Sequence, residues 1–306
     1  MADWTADAIA DQAGRRVVVT GANSGLGFHT TIGLARNGAR VVMACRDLGK
    51  GEAALARVRE RAPDADVELR ELDLADLDSV RAFASAATEP IDLLVNNAGV
   101  MALPRRETAD GFEMQFGTNH LGHFALTGLL LPRLLDGTDP RVVTVSSGAH
   151  RMGRMRWDDL QWQRRYQRWL VYGQSKLANL LFMRELQRRA DAAGAPLRSV
   201  AAHPGYAATG LQVAGARMEG SGIKERISEL GNRLFAQTDE QGALPVLFAA
   251  TEDIPGAAFA GPDGPGEMRG HPQLVSMSGR ASDEDDARRL WEVSEDLTGV
   301  KYQFKR

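Results

Sequence analysis

The sequence predicts a single-domain α/β fold, a doubly wound parallel sheet with helices on both faces. Three observations predict it. Short apolar runs alternate with longer segments of helical period along most of the 306 residues. The early runs are apolar at nearly every position, as strands covered on both faces must be. No linker rich in Gly, Ser and Pro interrupts the series before about Ala260. Parallel strands need helical crossovers, so the alternation itself specifies the winding.

The first strand is Val17-Val18-Val19, followed by a helical stretch over 25–37. A strand at 41–45 precedes a helix over 50–61, and a strand at 67–69 precedes a helix over 76–87. Leu93-Leu94-Val95 leads into a long helical region, roughly 111–135, and 142–145 reads as the next strand. A helix over 171–192, a strand near 197–202 and a late strand at 257–260 complete the series. Residues 261–270 are rich in Gly and Pro and are expected to be loop; a short acidic helix over 283–297 closes the chain. Residues 1–13 are read as an N-terminal extension and 14–306 as the domain, with its core at about 14–260.

Composition excludes several classes. A net charge of −3 gives no long-range attraction to nucleic acid or anionic membrane. One cysteine, Cys45, rules out an internal disulfide and a cysteine-based zinc site. The first residues carry Asp3, Asp7 and Asp11 and no apolar core, unlike a signal peptide. The best apolar run, 124–131, stops at Pro132 and is too short to span a bilayer. No membrane anchor and a cytoplasmic location are expected.

The first strand runs into Thr20-Gly21-Ala22-Asn23-Ser24-Gly25-Leu26-Gly27, which opens a helix. Glycines here let the backbone turn sharply and approach a pyrophosphate at the positive helix N-terminus. A bland β-α turn also uses glycines. The position of this one, on the first strand of a β-α series, is where Rossmann-type folds bind dinucleotides.

Three motifs in order, Thr20 to Gly27, Asn96-Asn97-Ala98-Gly99 and Tyr172-x-x-x-Lys176, resemble those of classical short-chain dehydrogenases/reductases. The likeness runs from about Gly14 to Ala260. It is strongest toward the retinol-dehydrogenase-like and WW-domain-oxidoreductase-like branch, through Ala44-Cys45-Arg46-Asp47, Asn119-His120-Leu121-Gly122-His123-Phe124, Val145-Ser146-Ser147 and His203-Pro204-Gly205. The resemblance implies a sheet of order 3-2-1-4-5-6-7. It also implies cofactor contacts at Gly21, Asn23, Ser24, Gly25, Leu26, Gly27, Ala98, Gly99, Pro204 and Gly205. Asp73 with Leu74 would face the adenine, and Asn96 would support the ribose side. The alternative for Asp73 is a helix cap, since Asp76 and Asp78 share its turn.

Tyr172 and Lys176 lie four apart on a predicted helix and project from one face. A phenol is a poor base at neutral pH. A nearby ammonium, with the positive ring of an oxidised nicotinamide, would lower its pKa. Tyr172 can then exchange a proton with a substrate oxygen held by the Ser147 hydroxyl. Ser146 competes, but the resemblance favours the second serine of such a pair. By the same resemblance Asn119 anchors a water bridging to Lys176 in a proton relay. Tyr166 has Leu170 four positions on and cannot form the same pair.

The cofactor is expected to be NADP(H) in preference to NAD(H). NAD-binding units carry an acid at the end of the second strand, about twenty residues past the glycines. Here that place is Arg46, nineteen after Gly27, with Lys50 one turn on. A guanidinium matches a 2′-phosphate, and relatives with the same Cys-Arg-Asp run favour the phosphorylated cofactor. Asp47 keeps NAD(H) open.

His120 and His123 share a helix face, but no third ligand lies near them for zinc. Six arginines from Arg151 to Arg168, interleaved with Trp157, Trp162, Tyr166 and Trp169, read as an enlarged loop beside the active site and not as a nucleic-acid surface. Together these features indicate an oxidoreductase acting on an alcohol/carbonyl pair. The alternatives are a C=C reductase of the protochlorophyllide-reductase type and a non-catalytic dinucleotide-sensing regulator. A sensor has no need of Ser147, Tyr172 and Lys176 together, and no cysteine proton donor supports C=C reduction. Met152, Met155, Trp157, Leu211 and Val213 are expected to line a pocket that prefers lipophilic or aromatic alcohols and carbonyls over small charged ones. Retinoid chemistry is not carried over, because the anchor common among those relatives is not seen here. Many relatives pair through the helices holding Asn119 and Tyr172, which would make a homodimer or homotetramer.

Overall fold

The computed structural model describes residues 3–205 and 237–304. Among them the strands are β1 (Arg16–Thr20), β2 (Arg40–Cys45), β3 (Val67–Glu71), β4 (Leu93–Asn96), β5 (Arg141–Val145), β6 (Arg198–Ala202), β7 (Phe259–Pro262) and β8 (Pro272–Leu274). They form one sheet in the order β3-β2-β1-β4-β5-β6-β7-β8. The first seven run parallel, in the order the resemblance implied. The eighth is antiparallel to β7 and lies where loop was expected to lead into the last helix. Gly261 and Pro262, also expected as loop, belong to β7. Gly and Pro composition conceals this edge, where Pro is tolerated because half the ladder groups face away from a partner strand.

The helices are α1 (Gly25–Arg36), α2 (Leu48–Arg61), α3 (Leu77–Ser85), α4 (Met114–Phe116), α5 (Gly122–Leu135), α6 (Arg168–Ala193), α7 (Asp239–Thr251) and α8 (Glu284–Thr298). Alternate strand residues serve opposite faces. Val17, Val19, Val41 and Met43 pack with Phe28, Ile32 and Leu247 of α1 and α7. Val18, Val42 and Leu94 pack with Phe124, Leu130 and Phe182 of α5 and α6 on the other face. The helix expected over 111–135 is three pieces. Gly111 turns at φ +81°, α4 follows, and a π-helical turn, Gly117–Leu121, joins it to α5. α7 was not foreseen, since Pro245 sits inside it.

α5 and α6 are buried nearly all round, which an amphipathic surface helix is not. The second cover is the C-terminal segment. Ala287, Leu290, Trp291, Ser294 and Thr298 of α8 face inward, and Trp291 stacks on Phe182 at 5.9 Å. Tyr302 donates to the Phe124 carbonyl at 2.6 Å, with its ring filling the space a side chain at Gly128 would need. The helices through which copies were expected to pair thus carry this chain's own tail on that flank. At the other end, Ile9 joins the α1/α7 core and Trp4 meets Phe248 edge-on at 5.5 Å, so the residues before 14 pack on the domain.

His120 and His123 are enclosed within this helical layer. His120 bonds Ser294 on α8 at 2.9 Å. Burial pushes the two imidazoles down, to about 3 and about 4, so both are neutral when folded. An unfolded chain binds those protons from about pH 6.5. Stability is therefore fully present above that pH and falls as pH drops toward 4, by roughly 1 kcal/mol per pH unit for each histidine. Urea midpoints measured between pH 7 and 5 should decrease; a flat midpoint would show that neither imidazole is held neutral.

Candidate active site

The strand order reverses between β1 and β4, and their following helices leave to opposite faces. A crevice opens beyond their carboxyl ends, where ligands of such sheets bind. Gly21 and Gly25 line it at φ +64° and +56°, which other residues adopt at a cost. A side chain at Gly27 would come within 2.4 Å of the Gly21 carbonyl, so only glycine lets α1 start this close to β1. Ser24 stands at the N-cap of α1 without a side-chain cap, and the first turn holds no acid. Its N–H groups and positive end therefore face the crevice, as a phosphate requires. Asn23 and Ser24 sit on the rim, and Leu26 turns inward.

The Thr20 hydroxyl accepts from Asn97 N and Ala98 N, each at 2.9 Å, which fastens the segment after β4 to β1. The Asn97 amide adds a bond to the Thr20 carbonyl at 2.7 Å. Asn97 was not singled out from the sequence, whereas Asn96 was. The structure turns the Asn96 side chain into the core, where it donates to Thr127 at 2.9 Å, away from the crevice. Gly99 passes so close to the catalytic candidates that a side chain there would stand 3.1 Å from Asn119 Oδ1 and 3.6 Å from Lys176 Nζ.

At the end of β2, Arg46 is exposed, with no hydrogen bond or ion pair to other described residues. Asp47 is committed to α2: Oδ1 caps Lys50 N at 3.0 Å and Oδ2 meets Lys50 Nζ at 2.9 Å. The Lys50 side chain and amide hold that carboxyl below its usual range. Lys50 is thus matched by Asp47 and adds no unpaired charge. Asp73 makes a local turn by accepting from Ala75 N at 2.9 Å, while Asp76 caps α3. Leu74 is buried, its carbonyl against Gly122. Pro204 and Gly205 end the described part of the β6 loop, where the Pro204 carbonyl accepts from Gln237.

Tyr172 and Lys176 project from α6 as expected, both buried, with Nζ 5.7 Å from the phenol ring centre. Lys176 Nζ donates to the Val145 carbonyl at 3.1 Å. Ser146 donates to the Lys176 carbonyl at 2.8 Å and is thereby occupied. Ser147, half-buried, accepts from Ala149 N at 3.2 Å and shares a hydrogen bond with Tyr172. The serine pair thus divides into one structural and one cleft-facing hydroxyl. Asn119 sits in the π-helical turn, a feature frequent at functional sites. Its amide is fully used, accepting from Val100 N at 2.7 Å and donating to Val100 O and Ser175 Oγ, each at 2.9 Å. What it offers a water is the main-chain carbonyl, which already accepts from His123 Nδ1 at 3.1 Å.

The expected low pKa of Tyr172 is not produced by the protein's own groups. Burial pushes the phenol up to about 12, and the Ser147 hydrogen bond offsets only part of that. Burial pulls Lys176 down to about 8. The ammonium is directed at Val145 O, so desolvation outweighs its field at the phenol.

The pocket candidates separate. Met152 is exposed, but Met155 and Trp157 pack toward the C-terminal segment, where Trp157 donates to Asp286 at 2.9 Å and stacks under Arg289 at 4.4 Å. Leu211 and Val213 lie outside the described residues. The aromatic beside Tyr172 is Trp169, edge-on at 6.3 Å. In the arginine-rich loop, Arg156 lies over Trp162 at 4.2 Å and Arg164 pairs with Asp158 at 2.9 Å, while Arg151 reaches Glu267 at 2.9 Å.

Comparison with known proteins agrees with this architecture. Retinol dehydrogenase 12 of Mus musculus is 41% identical over 293 residues, covering 95% of this chain and 88% of its own. Retinol dehydrogenase 13 of Homo sapiens is 42% identical over 298 residues, covering 94% and 86%. A crystal structure of an uncharacterized protein from Mycobacterium paratuberculosis superposes with a TM-score of 0.83 at 50% identity, covering 99% and 100%. A Beutenbergia cavernae protein assigned as an NAD(P) dependent gluconate 5-dehydrogenase, crystallised with NADP, gives 0.60 at 27% identity, covering 79% and 91%. The profile of the family described as short chain dehydrogenase matches residues 15–219. The chain belongs to the short-chain dehydrogenase family.

Proposed function

We propose that the chain is an NADP(H)-dependent oxidoreductase that interconverts a lipophilic alcohol and its carbonyl compound. The observation that carries this reading is the meeting of Ser147 and Tyr172 at the cleft, with Lys176 buried one turn away. The residues present fit a nicotinamide dinucleotide. The uncapped α1 N-terminus and the glycines would take the pyrophosphate, and Arg46 a 2′-phosphate. Asp73 and Leu74 would face the adenine. The names of the retinol dehydrogenases support a lipophilic substrate.

When bound, the nicotinamide supplies or accepts the hydride. The chain's own part is proton transfer and orientation. Ser147 Oγ accepts from Ala149 N, which leaves its proton to donate to a carbonyl oxygen. Tyr172, protonated at neutral pH and held more firmly so by burial, donates to the same oxygen. The Lys176 ammonium stabilises the phenolate left behind, and Asn119 holds the relay that restores the proton. Alcohol oxidation runs the same steps backwards and needs the phenolate first.

Tyr172→Phe should keep cofactor binding and lose about 10²–10⁴-fold in turnover, because the ring still packs while the exchanging proton is gone. A variant retaining a third of the wild-type rate on a good substrate would remove Tyr172 from this role.

Lys176 should impose a pH limit on carbonyl reduction. Its ammonium persists below about pH 8 and is lost above it, so kcat/KM for reduction falls as pH rises through that value. Lys176→Met should abolish this limb and push alcohol oxidation to more alkaline pH. An unchanged profile with only a raised KM would assign Lys176 to ribose binding alone.

Arg46→Ala should lower kcat/KM for NADPH by about ten- to a hundredfold, the worth of a charge-assisted hydrogen bond, and leave NADH little affected. A wild type that prefers NADH would overturn the assignment.

A further inference from the structure

A cavity of about 340 Å³ lies one helical turn before Tyr172, lined by Pro104, Tyr166, Gln167, Arg168 and Trp169. It is an open depression, not an enclosed one, and its volume lies at the low end of the range of small-molecule sites. Its lining residues are distinct from those of the cofactor cradle. Both of its walls reach Tyr172. The segment before Pro104 contributes Met101 and Ala102, which pack with the phenol ring. The other wall carries Trp169, whose ring stands at 83° to that of Tyr172.

The walls are held in place from behind. Gln115, fully buried, accepts from Ala102 N at 2.8 Å and donates to Tyr166 Oη and Arg168 O, each at 3.0 Å. The Tyr166 hydroxyl also meets Leu103 O and Glu113 Oε1 at 3.0 Å each, so its polar end is spent and its ring is what remains for the cavity. Three rings, those of Pro104, Tyr166 and Trp169, therefore form much of the surface. Trp169 is 47% exposed, more open than the half-buried Pro104 and Tyr166 that share the lining with it.

We propose that this cavity receives the body of the substrate and that Trp169 selects flat, aromatic or conjugated carbonyl compounds and alcohols. The inference rests on the oxidoreductase reading above and specifies its substrate class. A planar π-system whose carbonyl reaches Ser147 and Tyr172 lies against the indole, and face or edge contacts between rings favour it over a puckered body of equal size. Trp169 touches the substrate body and no reacting atom, so it sets specificity.

The test compares NADPH-dependent reduction of acetophenone and cyclohexyl methyl ketone, which are similar in size and differ in planarity. The readout is the ratio of their kcat/KM values, in wild type, Trp169→Leu and Trp169→Phe. Trp169→Leu keeps an apolar wall without a ring and should reduce the aryl preference about tenfold. Trp169→Phe should restore most of it. A ratio unchanged in Trp169→Leu, or one that Trp169→Phe fails to restore, overturns the subsite while leaving the oxidoreductase reading intact. If wild type binds NADPH and reduces neither ketone, nor any of a wider panel of carbonyls, the oxidoreductase reading falls and this inference with it.

Discussion

The hydroxyl of Thr20 stands where the sheet order reverses, and the geometry of the site depends on its four neighbours. It accepts from two successive amides after β4, and its own proton lies between His123 Nε2 at 2.9 Å and the Val95 carbonyl at 3.3 Å. The Asn119 carbonyl can only accept, so neutral His123 carries its proton on Nδ1 and leaves Nε2 to accept from Thr20. Asn119 in turn holds Val100 and Ser175. One chain of hydrogen bonds thus connects the phosphate loop on β1 to the helix carrying Tyr172 and Lys176. Burial of His123 keeps it neutral, which preserves this donor–acceptor order.

The same burial decides the protonation of Tyr172 and Lys176. Removing a phenol and an ammonium from water penalises the charged form of each, so the pKa of Tyr172 rises while that of Lys176 falls. A phenol that keeps its proton beside a lysine that still holds its own is the arrangement carbonyl reduction requires.

Much of this was legible in the amino-acid sequence. Buried parallel strands announce themselves as unbroken apolar runs, and the i, i+4 spacing of Tyr172 and Lys176 survives any error in helix ends. Other features depend on facts that spacing does not carry. Whether Asn96 or Asn97 faces the crevice turns on one residue of strand register, and a single step reverses the face. Trp157 and Trp169 lie in or beside a long loop, where periodicity says nothing about which aromatic points at the site. The pKa of Tyr172 turned on how completely the ring is enclosed, a property of packing that no local motif reports. β8 and α7 were hidden by Pro and Gly, which weaken the pattern without forbidding the element. The covering of α5 and α6 by α8 was foreshadowed only by helices too apolar to have a wet face.

That double cover has a consequence for cooperativity. α6 is 26 residues long and lies between the sheet and α8, with 17 of its residues buried. Helices enclosed in this way belong to the last unit to open, and their amides exchange with solvent only through global unfolding. Tyr172 and Lys176 therefore ride on a helix covered from both sides, not on a loop that can fray by itself. Partial denaturation has no means of disabling the pair while leaving the rest folded. Loss of the pair in denaturant is then loss of the fold, and hydrogen exchange along α6 should read the free energy of global unfolding.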